Sequence, residues 1–430
     1  MTRFHLESLG CAKNQVDSEL LISCLSAGGW ALSESADADV IIVNSCGFIE
    51  SAKRESVNAV LSFRKRHPTA KIVLAGCLAV RHAKELRESL TEADVVCPTS
   101  DPQRIAGELI GAALAAADPG GRPLLSLPGS AYVKIAEGCD NRCTFCAIPL
   151  MRGALRSRTI PDIKAEFDAL RRRGVQEICL VAQDSASFGA ETAGKSGRGA
   201  LPELLETLLQ AEGRFWIRLL YLHPDHFPYD IIPLMQGDPR LLPYFDIPFQ
   251  HSAKDVLRAM GRRGDGKTYL ALVEKIRAAL PGAALRSTFL TGFPGESDAD
   301  FDDLLDFQKN AQLEWAGVFC YSREEGTPAC AFKKRPAKKR AAERKTRLEE
   351  AQIPISGQRL DRFIGAQLDV LVEEKIEGEG EENLFLGRAY LNAPDVDGAI
   401  VVESSGELHT GALVSAQITA RADFDLQAEA

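Results

Sequence analysis

The sequence predicts an α/β protein in three parts: an N-terminal doubly wound parallel sheet, a central partial (β/α)6 barrel, and a small C-terminal antiparallel β-barrel. Three observations carry this expectation. Short apolar runs alternate with amphipathic helical stretches over the first part, the pattern of parallel strands joined by crossover helices. The alternation resumes between Ala131 and Phe319, where six strand-like runs recur between helices. Beyond Gln358 it gives way to short alternating strands with glycine-containing turns, as in small barrels. A chain of 430 residues is also too long for a single core. The parts are expected at residues 1–117, 125–356 and 358–426.

In the first part, residues 3–9 read as a strand and 14–27 as a helix. Residues 39–44 are a near-continuous apolar run, expected of a strand buried on both faces. A charged amphipathic helix over 50–66, a strand over 71–75, a helix from about Val80, a strand near Val95 and a helix through Ala117 complete it. The six barrel strands are expected at 132–136, 177–182, 215–220, 243–247, 284–290 and 315–319. A basic helix ends near Gln358, and strands follow at 365–372, 383–390, 399–402 and 413–420.

The strongest chemical signal is Gly138-Cys139-Asp140-Asn141-Arg142-Cys143-Thr144-Phe145-Cys146, directly after the first barrel strand. A closed zinc site wants paired C-x2-C units and a fourth ligand nearby, and this segment has neither. Three thiolates on a [4Fe-4S] cluster instead leave one iron open for substrate or cofactor. A structural metal knuckle is the duller alternative.

Three more cysteines each stand just past an expected strand: Cys11, Cys46 and Cys77, separated by 35 and 31 residues, about one strand–helix unit each. Loops at the carboxyl ends of parallel strands share one edge, where ligands bind. A glycine beside each cysteine permits close approach of the backbone. A second three-thiolate cluster site fits this placement, and so do three buried structural thiols. Cys24, Cys97, Cys179, Cys320 and Cys330 share no such placement and read as structural.

Several blocks together make a family visible. They are Leu9-Gly10-Cys11-Ala12-Lys13-Asn14 with Asp17-Ser18, Asn44-Ser45-Cys46-Gly47-Phe48-Ile49-Glu50, and Gly76-Cys77-Leu78. Glu137-Gly138-Cys139 through Ile148-Pro149 with Arg152-Gly153, Asp246-Ile247-Pro248-Phe249-Gln250-His251, and Gly292-Phe293-Pro294-Gly295-Glu296 follow. The chain resembles the radical S-adenosylmethionine (SAM) methylthiotransferases, which end in a TRAM domain. The resemblance implies two [4Fe-4S] clusters, one on Cys139, Cys143 and Cys146 and an auxiliary one on Cys11, Cys46 and Cys77. It implies that one SAM methylates sulfur at the auxiliary cluster and a second is cleaved to a radical. It also places SAM among loops after the barrel strands, where Gln183, Asp184, Gln250 and Glu296 are candidates. Polar residues at strand ends serve equally well as helix caps and turn formers. His223-Pro224-Asp225-His226 reads as a structural loop.

Charge separates the branches of this family. The net charge of -9 hides nine basic residues against one acidic between Lys333 and Arg347. From Asp361 to Ala430 there are fifteen Asp or Glu against four Lys or Arg, a net of -11. Such a tail repels nucleic acid, and a basic protein is the more compatible partner. Charges at Glu373, Glu374, Glu379 and Glu381 are expected to recruit it. With Ala12-Lys13-Asn14 after the first cysteine, the chain looks like the protein-modifying branch. That branch adds a methylthio group to the β-carbon of one aspartate of small-subunit ribosomal protein twelve, free or in the ribosome. A transfer-RNA adenosine methylthiotransferase is the alternative. The low potential such a cluster needs implies an external electron donor, and a sulfur donor and a monomeric enzyme are expected. No secretory signal or membrane span is visible, so reduced thiols and a cytoplasmic location are expected.

Overall fold

Val40, Ile41, Ile42 and Val43 are all buried, as a strand covered on both faces requires. They lie in β3 (Val40–Ser45), the central strand of a parallel sheet with β1 (Arg3–Ser8), β2 (Ala31–Leu32), β4 (Lys71–Ala75) and β5 (Val95–Val96), ordered β2-β1-β3-β4-β5. The computed structural model describes residues 1–112, 118–192, 199–376 and 383–430. Helices α1 (Ala12–Ala27) and α4 (Pro102–Ile110) cover one face of the sheet through Leu21, Leu25 and Ile105. Helices α2 (Glu50–Arg66) and α3 (Gly76–Ser89) cover the other through Val60, Phe63 and Leu86. The sheet is doubly wound, as expected.

Two boundaries differ from expectation. Helix α3 begins at Gly76, directly on the end of β4, and kinks at His82. Helix α4 starts where the Asp101 carboxylate caps the amides of Gln103 and Arg104, and it stops at Gly111 in the left-handed conformation (φ 77°). Ala117, where that helix was expected to end, lies outside the described residues.

The central part holds β6 (Ser130–Lys134), β7 (Ala136–Glu137), β8 (Arg156–Ser157), β9 (Glu177–Val181), β10 (Trp216–Leu219), β11 (Tyr244–Asp246), β12 (Ala284–Thr291) and β13 (Trp315–Cys320). Six of these strands are the expected barrel strands, arranged as two parallel sheets, β10-β9-β6 and β11-β12-β13. β11 is only three residues long, and a single bridge between Ile217 and Leu241 joins the halves. β7 and β8 form a separate antiparallel pair that closes the base of the Cys139 loop. The helices are α5 (Ile148–Arg152), α6 (Ile160–Arg172), α7 (Leu201–Leu209), α8 (Ile231–Gly237), α9 (Lys254–Ala259), α10 (Gly266–Ala279), α11 (Asp298–Ala311) and α12 (Lys338–Asp361). Strand alternation sends Val133, Leu180, Ile217 and Leu285 toward the helical layer. Tyr132, Cys179, Trp216, Tyr244 and Trp315 point to the opposite, concave face.

The C-terminal part is a closed barrel of β14 (Gln367–Ile376), β15 (Asn383–Arg388), β16 (Ile400–Ser404), β17 (Leu413–Ala422) and β18 (Asp425–Glu429), ordered β14-β15-β16-β18-β17. Four of its pairings are antiparallel, but β16 and β18 run parallel. Five strands cannot alternate direction all the way round a closed ring, so one neighbouring pair must be parallel.

This barrel is built into the central one. The chain between β15 and β16 enters the concave face, where Ala389, Leu391 and Ala393 are fully buried. There Trp315 Nε1 donates to Leu391 O at 2.7 Å, Arg218 Nη1 to Tyr390 O at 2.7 Å, and the Tyr244 hydroxyl to Asp397 Oδ2 at 2.6 Å. Arg388 bridges Glu177 and Glu373, each at 2.6 Å. The acidic count of the tail therefore overstates its free charge. Glu373 is buried against Arg388, Asp397 pairs with Arg286, and Asp369 pairs with Arg214. Glu374 is exposed as expected, while Glu379 and Glu381 lie outside the described residues. Among the described residues no helix is long and apolar enough to cross a membrane.

Candidate active site

Cys11 directly precedes α1, Cys46 follows β3 directly, and Cys77 lies in the first turn of α3 after β4. The three adjacent parallel strands thus deliver all three thiols to one sheet edge. Two glycines make the crowding possible. A Cβ on Gly10, whose φ is +100°, would stand 2.8 Å from Cys46 Cβ, and one on Gly47 would stand 2.8 Å from Leu78 Cα. All eleven cysteines are free thiols; of the five read as structural, Cys24, Cys97 and Cys179 are buried, and Cys320 and Cys330 are half-buried.

The electrostatics suit thiolate ligation. Burial pushes the Cys46 thiol up to about 11, and the neighbouring Cys11 and Cys77 push the same way. Burial also raises Cys77, against the pull of Arg152, whose Nε lies 3.2 Å from Cys77 Sγ. Loss of hydration opposes ionisation of Cys11, yet the Lys13 charge, the first amides of α1 and Arg152 bring its net shift below the usual thiol range. Arg152 is itself held by Asp17, by Asn14 Oδ1 at 3.1 Å and by Glu137 at 3.3 Å. Lys134 joins the same two carboxylates.

The second cradle is an irregular loop fixed by hydrogen bonds to its surroundings. Cys139 N donates to Gly153 O at 3.1 Å, Thr144 N to Met260 O at 2.9 Å, and Ala329 N to Thr144 O at 2.9 Å. Leu155 N donates to Asp140 Oδ1 at 3.0 Å. Burial pushes Cys139 to about 11 and Cys146 to about 12, and the neighbouring thiols add to both shifts. Cys143 is raised by burial too, while the guanidinium of Arg262 beside it pulls the other way. Five of the six thiols therefore ionise only with help, which a soft cationic cluster supplies, while Cys11 is already drawn toward the thiolate by Lys13. No three His, Cys, Asp or Glu among the described residues close tightly around a single metal ion. Each cysteine of a cluster binds a different iron, so its cradle is wider than a single-ion site. The donor set fits a cluster.

Helix α5 links the two triads. Helix α5 starts two residues after Cys146, and its Met151, with Ala147, packs on Cys77. Arg152, at the end of α5, reaches Cys77.

The four polar candidates divide. Gln183 Nε2 donates to Glu137 Oε1 at 3.0 Å, and its Oε1 is buried without a partner. Gln250 follows β11 in the left-handed conformation (φ 69°), with its backbone paired to β12. Asp184 caps a short turn at Ala186 N and also accepts from Asn141 at 2.8 Å, Ser187 at 2.7 Å and His226 at 2.6 Å. Burial alone would raise its carboxyl, but His226, His223 and Ser187 hold it down at about 2. Glu296 accepts from Phe293 N at 3.0 Å and from Arg344 at 2.7 Å, which pins its loop to α12. His223 and His226, read from sequence as a structural loop, stack at 4.6 Å and reach the cluster loop through Asp184. The roles of Arg262 and of the Lys134–Asp17 pair went unseen in the sequence. Arg262 lies far along the chain from the Cys139 loop, so no local sequence signal points to it.

Residues 3–98 match the model described as "Uncharacterized protein family UPF0004", residues 133–307 the radical SAM superfamily, and residues 364–430 the TRAM domain. A relative from Treponema denticola, "Ribosomal protein uS12 methylthiotransferase RimO", is 43% identical, covering 98% of this chain and 99% of the relative. Relatives of the same name from Sorangium cellulosum and Thermotoga maritima are each 40% identical, over 99% and 94% of this chain and 90% and 95% of their own. Among solved structures, the radical SAM methyltransferase TsrM from Kitasatospora setae, with cobalamin and a [4Fe-4S] cluster bound, shares the fold at a TM-score of 0.53 and 13% identity, covering 88% of this chain and 82% of that one. This chain belongs to the RimO family of radical SAM methylthiotransferases.

Proposed function

We propose that this protein adds a methylthio group to the β-carbon of one aspartate of ribosomal protein uS12. Cys139, Cys143 and Cys146 hold the [4Fe-4S] cluster that binds SAM, and Cys11, Cys46 and Cys77 hold an auxiliary [4Fe-4S] cluster. The observation that carries this reading is the pair of three-thiol cradles joined through α5, which follows one cradle and packs on Cys77 of the other. When bound, the clusters and SAM supply the radical chemistry that an unactivated C–H bond demands.

The remaining work falls to the chain's own residues. Arg152 and Arg262 offset thiolate charge in the two cradles. Asn141, Asp184 and His226 hold the orientation of the cluster loop. SAM is placed against Gln183, whose carbonyl oxygen lacks a partner, and Gln250. Asp184 and Glu296 serve it indirectly by fixing their loops. The three functional parts are residues 1–117, 125–356 and 358–426. The enzyme acts as a cytoplasmic monomer with an external electron donor and a separate sulfur donor.

Replacing Cys11, Cys46 and Cys77 together by alanine is expected to leave about four irons per chain and to retain SAM cleavage, while methylthio transfer to uS12 disappears. Iron analysis, deoxyadenosine yield and mass spectrometry of uS12 read the three outcomes. Loss of SAM cleavage with four irons still present would sink the division between the clusters. Methylthiolation of transfer RNA in place of uS12 by the unaltered enzyme would transfer the assignment to the nucleic-acid branch.

A further inference from the structure

We infer that the Lys13 ammonium, seated on the Tyr221 ring beside the auxiliary triad, binds the carboxylate of the substrate aspartate. The inference rests on the reading of uS12 aspartate as substrate and names the residue that recognises it.

Lys13 is only 7% exposed, and its Nζ lies 3.5 Å from the centroid of the Tyr221 ring. No ion pair joins it to an Asp or Glu among the described residues. The cations around it are already matched. Lys134 and Arg152 share Asp17 and Glu137, and Arg286 carries Asp246 and Asp397. A buried ammonium without a carboxylate is costly, and an aromatic face replaces only part of its lost hydration. Among the described residues Lys13 meets no carboxylate; its neighbours are the Tyr221 side chain and the Cys11 thiol.

Its position ties it to both halves of the site. Lys13 lies in the first turn of α1, two residues past Cys11. Tyr221 lies just past the carboxyl end of β10, where barrel ligands gather. Tyr221 has a φ of 61°, an unfavourable conformation for a bulky side chain. Neighbours on both sides hold it there: its amide lies 3.2 Å from Asp246 Oδ2, and its carbonyl accepts from Ser185 N at 2.9 Å. Strain maintained in this way is a mark of functional positioning. In aspartate the carboxylate carbon is bonded directly to the β-carbon, so the group that grips the carboxylate also sets the reacting centre. A cation beside the auxiliary triad and over the barrel mouth meets that need.

The test compares uS12 with a variant carrying asparagine at the modified position, each titrated against anaerobically reconstituted full-length enzyme. The unaltered enzyme is expected to bind the aspartate form roughly 10- to 100-fold more tightly, the range of a hydrogen bond to a charged partner. Lys13→Met is expected to bring that ratio close to one, and Lys13→Arg to restore most of it. An unchanged ratio in Lys13→Met, with uS12 still modified by the unaltered enzyme, overturns the inference alone. Loss of iron from the auxiliary site in Lys13→Met, matched by Lys13→Arg, overturns it in favour of cluster support. Failure of the unaltered enzyme to bind or modify uS12 overturns the substrate reading and this inference with it.

Discussion

Cys143→Ser is expected to abolish deoxyadenosine formation and to lower the iron content from about eight to about four per chain. The fold should survive, because the loop does not depend on that thiol. Its backbone is fixed on either side through Cys139 N to Gly153 O, Thr144 N to Met260 O and Ala329 N to Thr144 O. The Thr144 hydroxyl also donates to Ala259 O at 2.7 Å. Serine keeps the size of the side chain but offers a hard oxygen to a cluster that prefers soft sulfur. The auxiliary cradle, built from the sheet edge of the first part, keeps its three thiols. Its absorbance should therefore persist while SAM stays intact under reduction. Undiminished deoxyadenosine from this variant would place the cleavage site elsewhere.

The two cysteine triads stand out in the sequence for two different reasons. Cys139, Cys143 and Cys146 are neighbours in sequence, so spacing alone reveals them. Cys11, Cys46 and Cys77 are visible only once three strands are placed in one parallel sheet, because it is the sheet edge that gathers them. The supporting shell was not legible, because burial and contact decide it. Arg152 meets Cys77 from 75 positions away and Asp17 from 135, and no local pattern encodes such pairs. Short strands escaped for a related reason. β2 has two residues, and β18 alternates only Leu426 and Ala428 inward, too weak a signal beside strands rich in Val and Ile. Glu373 was misread as a surface charge because of a bulge. The register between β14 and β15 shifts between Val372 and Glu374, which leaves Val372 and Glu373 both buried.

That buried glutamate leads to the largest expected effect on stability. Arg388→Ala is expected to cost about 3–5 kcal/mol near neutral pH, the usual penalty for removing one partner of a buried ion pair. Arg388 joins Glu177 on the barrel strand β9 to Glu373 on β14, so its loss strands two carboxylates at the seam of two parts. Glu177 keeps Arg218 at 2.7 Å, while Glu373 has no other ion-pair partner among the described residues. The effect should depend on pH in a definite direction. Burial alone would raise the Glu177 carboxyl, but Arg388 and Arg218 hold it down at about 2, below its ordinary 4.5. A carboxylate depressed by folding stabilises the protein fully above its unfolded value, and that contribution is lost as pH falls through the folded one. The share from Glu177 is therefore complete above about pH 4.5 and vanishes between there and about pH 2. Denaturant unfolding of the unaltered protein and of Arg388→Ala at pH 7 and again near pH 3 reads both effects. The gap between the two proteins should be wide at the first pH and clearly narrower at the second. A gap below about 1 kcal/mol at pH 7, the range of an exposed pair, would mean that the Arg388 cluster does not hold the C-terminal barrel in the floor of the central one.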